Sequence, residues 1–205
     1  MISFIKKNNK LNENKNSFVV TYPRSVEIIF GNYPYPDIIH NFILNIKNNI
    51  ELGENANNYS NVKGGKTDWN YFLGNKDFEK FFTYLINTNQ PTYPKLFEYF
   101  LEKYKIHNAW GNEIKKGDSL KYHIHPCWHG ILYLTKGCDL ILPELNIKIT
   151  PEPGDYYIFP PQILHGFDKY EGEINRYSLV FNMVEERGIF DLEKKLKEKD
   201  DKNNK

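Results

Sequence analysis

Apolar and polar positions along this chain follow two periods, and the change from one to the other comes near residue 106. From Pro36 to Ile50, apolar residues fall at Ile38, Ile39, Phe42, Ile43, Ile46 and Ile50. That is the three- and four-residue spacing of a helix buried along one side. Pro36 suits a helix start, because the first turn has no use for the N–H that proline lacks. The same spacing predicts helices over about 77–88 (Phe78, Phe81, Phe82, Leu85) and about 93–104 (Leu96, Phe97, Phe100, Leu101). Ahead of them, FVVTYP and SVEIIFG within 18–31 are strand-like pieces broken at Pro23. The Gly- and Asn-rich stretch 52–68 reads as a loop.

Beyond residue 106 the period is that of strands. They are expected over 106–114, 119–125, 130–135, 138–142, 145–150, 155–159, 163–167 and 176–183. Short strands separated by Gly, Pro, Asp and Asn turns predict a sandwich or jelly roll. The fold class is therefore mainly β with N-terminal helices, an α+β arrangement of barrel and about three packing helices. One domain is expected over 18–184, with helical support in 18–105 and the barrel core in 106–184. Residues 1–17 read as a flexible polar arm, and 185–205 as a short helix and charged tail.

Composition narrows the function classes. A chain of 205 residues with 40% hydrophobic residues can bury one sizeable core. The formal net charge of +1 gives no support for a nucleic-acid partner or an anionic membrane surface. No run approaches the roughly 18 apolar residues of a membrane span, and the start MISFIKKNNK lacks the apolar core of a signal peptide. Cys127 and Cys138 are the only cysteines, too few for a disulfide framework. The expected location is the cytoplasm.

The chemistry sits in the histidines. His123 and His125 are two apart, which on a strand sends both side chains from one face, where they can share a metal. His165 is the candidate third ligand. It follows PEPGDYYIFPPQILH, in which Gly154-Asp155 turns the chain, 156–159 runs as a strand, and Pro160-Pro161 turns it back. Inward imidazoles from separate strands need a common charge or hydrogen-bond partner. His129, four residues past His125, is a candidate fourth ligand, a group supporting the ligands from behind, or a pocket residue; His40, His107 and Cys127 read as ordinary packing or surface positions. Neutral imidazoles suit Fe, Zn, Cu or Ni rather than Mg or Ca. Arg176 and Ser178 open the last strand and share a face. If that face is inward, the guanidinium must find an anion, and its planar fork fits a carboxylate.

The pieces AWGNEIKKGD, YHIHP, HGILYL, PEPGDYYIFPPQILHGF and RYSLVFN, between Asn108 and Asn182, resemble the catalytic core of the Fe(II)/2-oxoglutarate-dependent oxygenases. They are most similar to small oxygenase-like proteins of phages and marine bacteria, and the upstream NVKGGKTDWNYF resembles a segment preceding that core in phage members. The resemblance implies a double-stranded β-helix and a dioxygenase, most commonly a hydroxylase, using Fe(II) and 2-oxoglutarate. It implies His123 and His165 as iron ligands, and Arg176, assisted by Ser178, as the holder of the distal carboxylate of 2-oxoglutarate. Tyr133, Asn112 and Trp110 are candidate pocket residues. The family usually has Asp or Glu two residues after the first histidine; here His125 stands there, giving a three-histidine site with one less negative charge. The implied partner is a small-molecule or peptide substrate, in a host cytoplasm if the chain is viral, and oligomerisation is left open.

Two other readings compete. Gly117, His123, His125 and His129, followed by the PxGD…PP…H run, also resemble the two cupin motifs, with His129 standing where the first motif has Glu. Such a metalloprotein (dioxygenase, isomerase or binding protein) needs no 2-oxoglutarate, and Arg176-Tyr177-Ser178 has no role in it. The third reading is a non-catalytic binding or virion-associated barrel.

Overall fold

The computed structural model describes residues 26, 28–50, 64–89 and 104–185. The expected arm, the FVVTYP strand, the helix over about 93–104 except Tyr104, which opens a strand instead, and the charged tail lie outside those residues. In chain order the elements are β1 (Ile29–Asn32), α1 (Pro36–Asn48), β2 (Gly65–Lys66), α2 (Lys76–Asn89), β3 (Tyr104–Ile114), β4 (Leu120–His123) and β5 (Trp128–Tyr133). They continue with β6 (Leu140–Leu142), a 3-10 turn (Pro143–Leu145), β7 (Ile147–Ile149), β8 (Asp155–Phe159), β9 (His165–Phe167) and β10 (Arg176–Glu185).

The two expected helices form where their apolar spacing places them. Pro36 opens α1 and Asp37 sits in its first turn, against the positive end of the helix dipole. Asn75 caps α2, its side-chain oxygen accepting from the N–H groups of Asp77 at 3.0 Å and Phe78 at 3.1 Å.

The strands build two antiparallel sheets, of six strands in the order β1-β8-β5-β10-β3-β2 and of four in the order β4-β9-β6-β7. These are the two faces of a double-stranded β-helix. The strand signal erred mainly at ends. Residues 124 and 125 fall outside β4, so His125 stands past the strand rather than on it. Part of the expected loop, Gly65–Lys66, adds a strand to the edge of β3, with Lys66 opposite Asn112. The start of the expected strand 145–150 is a 3-10 turn instead, because Pro143 has no N–H to give a ladder.

Strand alternation divides the larger sheet into two faces. On the outer face Leu132, Tyr177, Leu179, Phe181 and Met183 pack with Ile39, Phe42, Ile46, Phe78, Phe81 and Leu85 of the helices. The inner face carries Arg176, Ser178 and Val180 of β10, Trp110, Asn112 and Ile114 of β3, and His129, Ile131 and Tyr133 of β5. Between the sheets, Tyr133, Leu140, Leu142, Tyr157 and Phe159 form a second apolar cluster. The turn before β8 needs Gly154, which has φ +92° and comes so close to Tyr33 that a Cβ would stand 2.7 Å from its carbonyl oxygen.

Close helix-on-sheet packing is tightest at Gly111, where an added Cβ would lie 2.2 Å from Cγ1 of Ile46. Gly111→Ala should therefore cost about 1–3 kcal/mol, as other overpacked core positions do. Urea unfolding measures it, and in an Ile46→Ala background, which removes Cγ1, the cost of Gly111→Ala should shrink.

Candidate metal centre

The antiparallel pairing of β4 with β9 sets His123 directly opposite His165. Side chains at opposed positions on one face stand about 5 Å apart at Cβ, within reach of a shared ion. His125 arrives differently. Its carbonyl accepts the N–H of Gln162 at 2.9 Å, so the Pro160-Pro161-Gln162 turn ties it back beside β9. Gln162 has φ 68°, an uncommon left-handed conformation for a non-glycine residue, and it aims that N–H.

Coordinating atoms of His123, His125 and His165 lie within 4.8 Å of one another. Nδ1 of His123 donates to the Lys121 carbonyl at 2.8 Å, and Nδ1 of His165 donates to the Ile163 carbonyl at 2.9 Å. Each bond fixes the tautomer and leaves Nε2 with a lone pair facing the other histidines. Nε2 of His165 is buried without a hydrogen-bond partner among the described residues. The Nε2 atoms of His123 and His125 are 3.1 Å apart. Two nitrogens at right angles on an ion with bonds near 2.1 Å would be about 3.0 Å apart. An orphaned buried acceptor, paired tautomers and this spacing together fit a divalent first-row metal ion held by imidazoles.

Burial keeps all three rings neutral. It lowers His123, and takes His125 down to about 3, helped by repulsion from His165 and His123. His165 is pushed down to about 4 by burial, partly offset by its bond to Ile163. His129 is buried on β5, with Nδ1 2.7 Å from Oδ1 of Asn182, and burial holds it well below the ordinary histidine value. Weighed above as a fourth ligand, His129 stands outside the three-histidine group. Its ring lies flat on that of His125, with centroids 3.8 Å apart and planes at 11°. His40 and His107 are exposed and away from the site.

The histidines line one side of a cavity of about 210 Å³ between the sheets. Arg176, 2% exposed, lines it too. Its guanidinium lies 4.6 Å from the ring centre of Tyr133 and 5.2 Å from that of Phe167, two residues past His165. Arg176 makes no ion pair among the described residues, and its Nε has no hydrogen-bond partner. Asp139, the carboxylate that lines the cavity, is occupied by Lys148 at 2.8 Å and by the Thr150 hydroxyl. Ser178 is buried beside Arg176, between Tyr133 and Asn112 in the strand register. Asn112 accepts from the Trp110 indole at 3.2 Å, so its carbonyl is partly used. Trp69, packed edge-on against Trp110 at 4.5 Å, also lines the cavity.

The chain matches no protein-family model and no curated protein sequence. Among solved structures it is similar to the viral collagen prolyl hydroxylase of Paramecium bursaria Chlorella virus-1 in complex with 2-oxoglutarate. The TM-score is 0.56 and the identity 11%, over 76% of this chain and 94% of that one. This chain has the fold of the Fe(II)/2-oxoglutarate oxygenases. HygX of Streptomyces hygroscopicus, solved with nickel and 2-oxoglutarate bound, gives a TM-score of 0.54 at 10% identity, over 77% of this chain and 82% of that one. A Trichoplax adhaerens prolyl hydroxylase, solved with a hypoxia inducible factor peptide fragment, gives 0.52 at 14% identity, over 78% and 84%.

Sequence reasoning missed Gln162, Phe167, Trp69 and Asn182. Two of them had a readable signal in strand alternation: Asn182 continues the series 176, 178, 180 along β10, and Phe167 stands two past His165 on β9.

Depressed histidines make stability depend on pH with a definite sign. Above about pH 6.5 neither the folded nor the unfolded chain protonates them, and below it only the unfolded chain does. The metal-free protein should therefore lose stability as pH falls from about 6.5 to about 4, by on the order of 3 kcal/mol from His165 alone. Urea unfolding at pH 7 and pH 4 measures the slope, which His165→Gln should flatten.

Proposed function

We propose that this chain is a non-haem Fe(II)- and 2-oxoglutarate-dependent dioxygenase, a hydroxylase of a small-molecule or peptide substrate. The observation that carries the reading is Arg176: a buried cation without an ion pair among the described residues, on the cavity that also holds three inward imidazoles. A buried charge is costly unless an anion meets it, so this end of the cavity is built for one. In this reading His123, His125 and His165 hold Fe(II), which supplies dioxygen activation coupled to decarboxylation of 2-oxoglutarate.

The chain's own groups do the rest. Arg176 takes the distal carboxylate in a forked contact, and Ser178 offers its hydroxyl to the same group. Tyr133 and Phe167 hold the guanidinium in place with their ring faces, which also keep water from competing for it. The Nδ1–H bonds of His123 and His165 keep their Nε2 lone pairs presented to the ion. With no carboxylate in the ligand group, the co-substrate dianion balances the charge of the ion. Trp69 and Trp110 form the apolar wall against which the substrate packs.

The all-histidine ligand group is the observation that favours a second reading, a cupin-type metalloprotein without 2-oxoglutarate. One experiment separates the two. Anaerobic protein loaded with Fe(II) and 2-oxoglutarate should show a weak visible metal-to-ligand charge-transfer band. Arg176→Ala should raise the 2-oxoglutarate concentration needed for it by roughly 10- to 100-fold, the worth of a charged hydrogen-bonded contact. Arg176→Lys should recover only part, lacking the fork. Tight metal binding with no band at any 2-oxoglutarate concentration sinks the oxygenase reading in favour of the cupin one.

A further inference from the structure

We infer that His129 is a positioning residue that holds His125 in the metal-binding group, with Asn182 holding His129 in turn; this rests on the metal-site reading above. The need for such a brace follows from the fold. His123 and His165 sit on paired strands, and each ring is fixed by an Nδ1–H bond to a backbone carbonyl. His125 stands past the end of β4, and among the described residues its ring makes no such bond to a backbone carbonyl. Its backbone is tied by Gln162, but that bond leaves the side-chain rotamer free.

What lies on the ring is the imidazole of His129, 3.8 Å away and nearly parallel. His129 is rigidly mounted. It is 5% exposed, it stands on β5 in the middle of the larger sheet, and its cross-strand neighbour Asn182 holds its Nδ1 at 2.7 Å. The Asn182 carbonyl accepts from Nδ1–H, which polarises the buried ring and enriches its face in electrons. A ring whose nitrogen is bound to a cation is electron-poor, and stacks well on an electron-rich one. The brace should therefore tighten when the ion binds, and by linkage it should raise affinity for the ion. The same stacking takes the His129 nitrogens out of the ligand group, since a ring lying flat on a ligand's ring cannot point at the same ion.

Metal binding tests this without any turnover. Co(II) is titrated into metal-free wild type and variants while its visible bands are followed. Cu(II) electron paramagnetic resonance then counts the coordinated nitrogens. His129→Ala should weaken Co(II) binding by roughly 10- to 100-fold, as loss of a ligand's supporting group does, while His129→Phe, which keeps a flat face, should stay close to wild type. The nitrogen count should be the same in all three. If His129→Ala does not fold, His129→Leu takes its place, filling the volume without a flat face. His129→Phe as weak as His129→Ala, with one nitrogen fewer, would make His129 a ligand and overturn the brace. So would His129→Ala binding as tightly as wild type. Wild type that takes up neither Co(II) nor Cu(II) removes the metal-site reading and the brace with it. Wild type that binds the metals but shows no 2-oxoglutarate band leaves the brace to stand on the variants.

Discussion

The pairing of β4 with β9 is the contact on which the site depends. It is short, and it is irregular between Leu120 and His123, yet it sets two imidazoles opposite each other across one ladder. A slip of one residue would turn His123 or His165 to the opposite face of the sheet, because strand side chains alternate with period two. Register is held from outside the pair. Gly166 lets β9 come close to β4, where a Cβ would stand 2.9 Å from the Leu120 carbonyl oxygen, and Gly166 also pairs with Ile141 on the other side. The turn at 160–162 fixes where β9 begins and reaches back to the carbonyl of His125.

Around that pairing, the cavity is organised by charge. The imidazoles are neutral because burial disfavours their protonated form, so protons compete little with a metal ion for them at neutral pH. Among the described residues the one acidic side chain of the lining, Asp139, is neutralised by Lys148. What is left is the Arg176 guanidinium, between two aromatic faces. The guanidinium thus lines the same cavity as the imidazoles. Stability is given up for this. A buried cation without a counter-charge and a buried nitrogen on His165 without a partner, both among the described residues, each cost folding energy, and both are explained if ligands complete them.

The larger sheet supplies the rigidity. Its outer face is sealed by α1 and α2 through an almost wholly apolar contact, with Ile46 seated over Gly111 and the Phe181 ring of β10 lying across its strand neighbour Gly130. That leaves the inner face free to carry Arg176, Ser178 and His129 on strands that cannot shift independently. Polar groups at the centre of a sheet are held more exactly than the same groups on loops. His125 is the one member of the histidine group that lacks this support.

The sequence by itself determined the two helices, the strand-rich half and the identity of the residues that converge. Apolar spacing and turn residues act locally, so Phe42, Ile46, Phe78 and Phe81 announce their helices without reference to anything else. His123, His165, Arg176 and Ser178 were legible because strand alternation fixes which neighbours share a face, and the motif spacing placed them on a resemblance. Tertiary structure alone decided the rest. That His125 leaves its strand, that Gly65–Lys66 joins the sheet edge and that Tyr133 and Phe167 bracket Arg176 all depend on contacts between distant segments. The pairing of His129 with Asn182, 53 positions on, depends on the register of β10 against β5. Register is set by the packing of the whole sheet, and no local pattern encodes it.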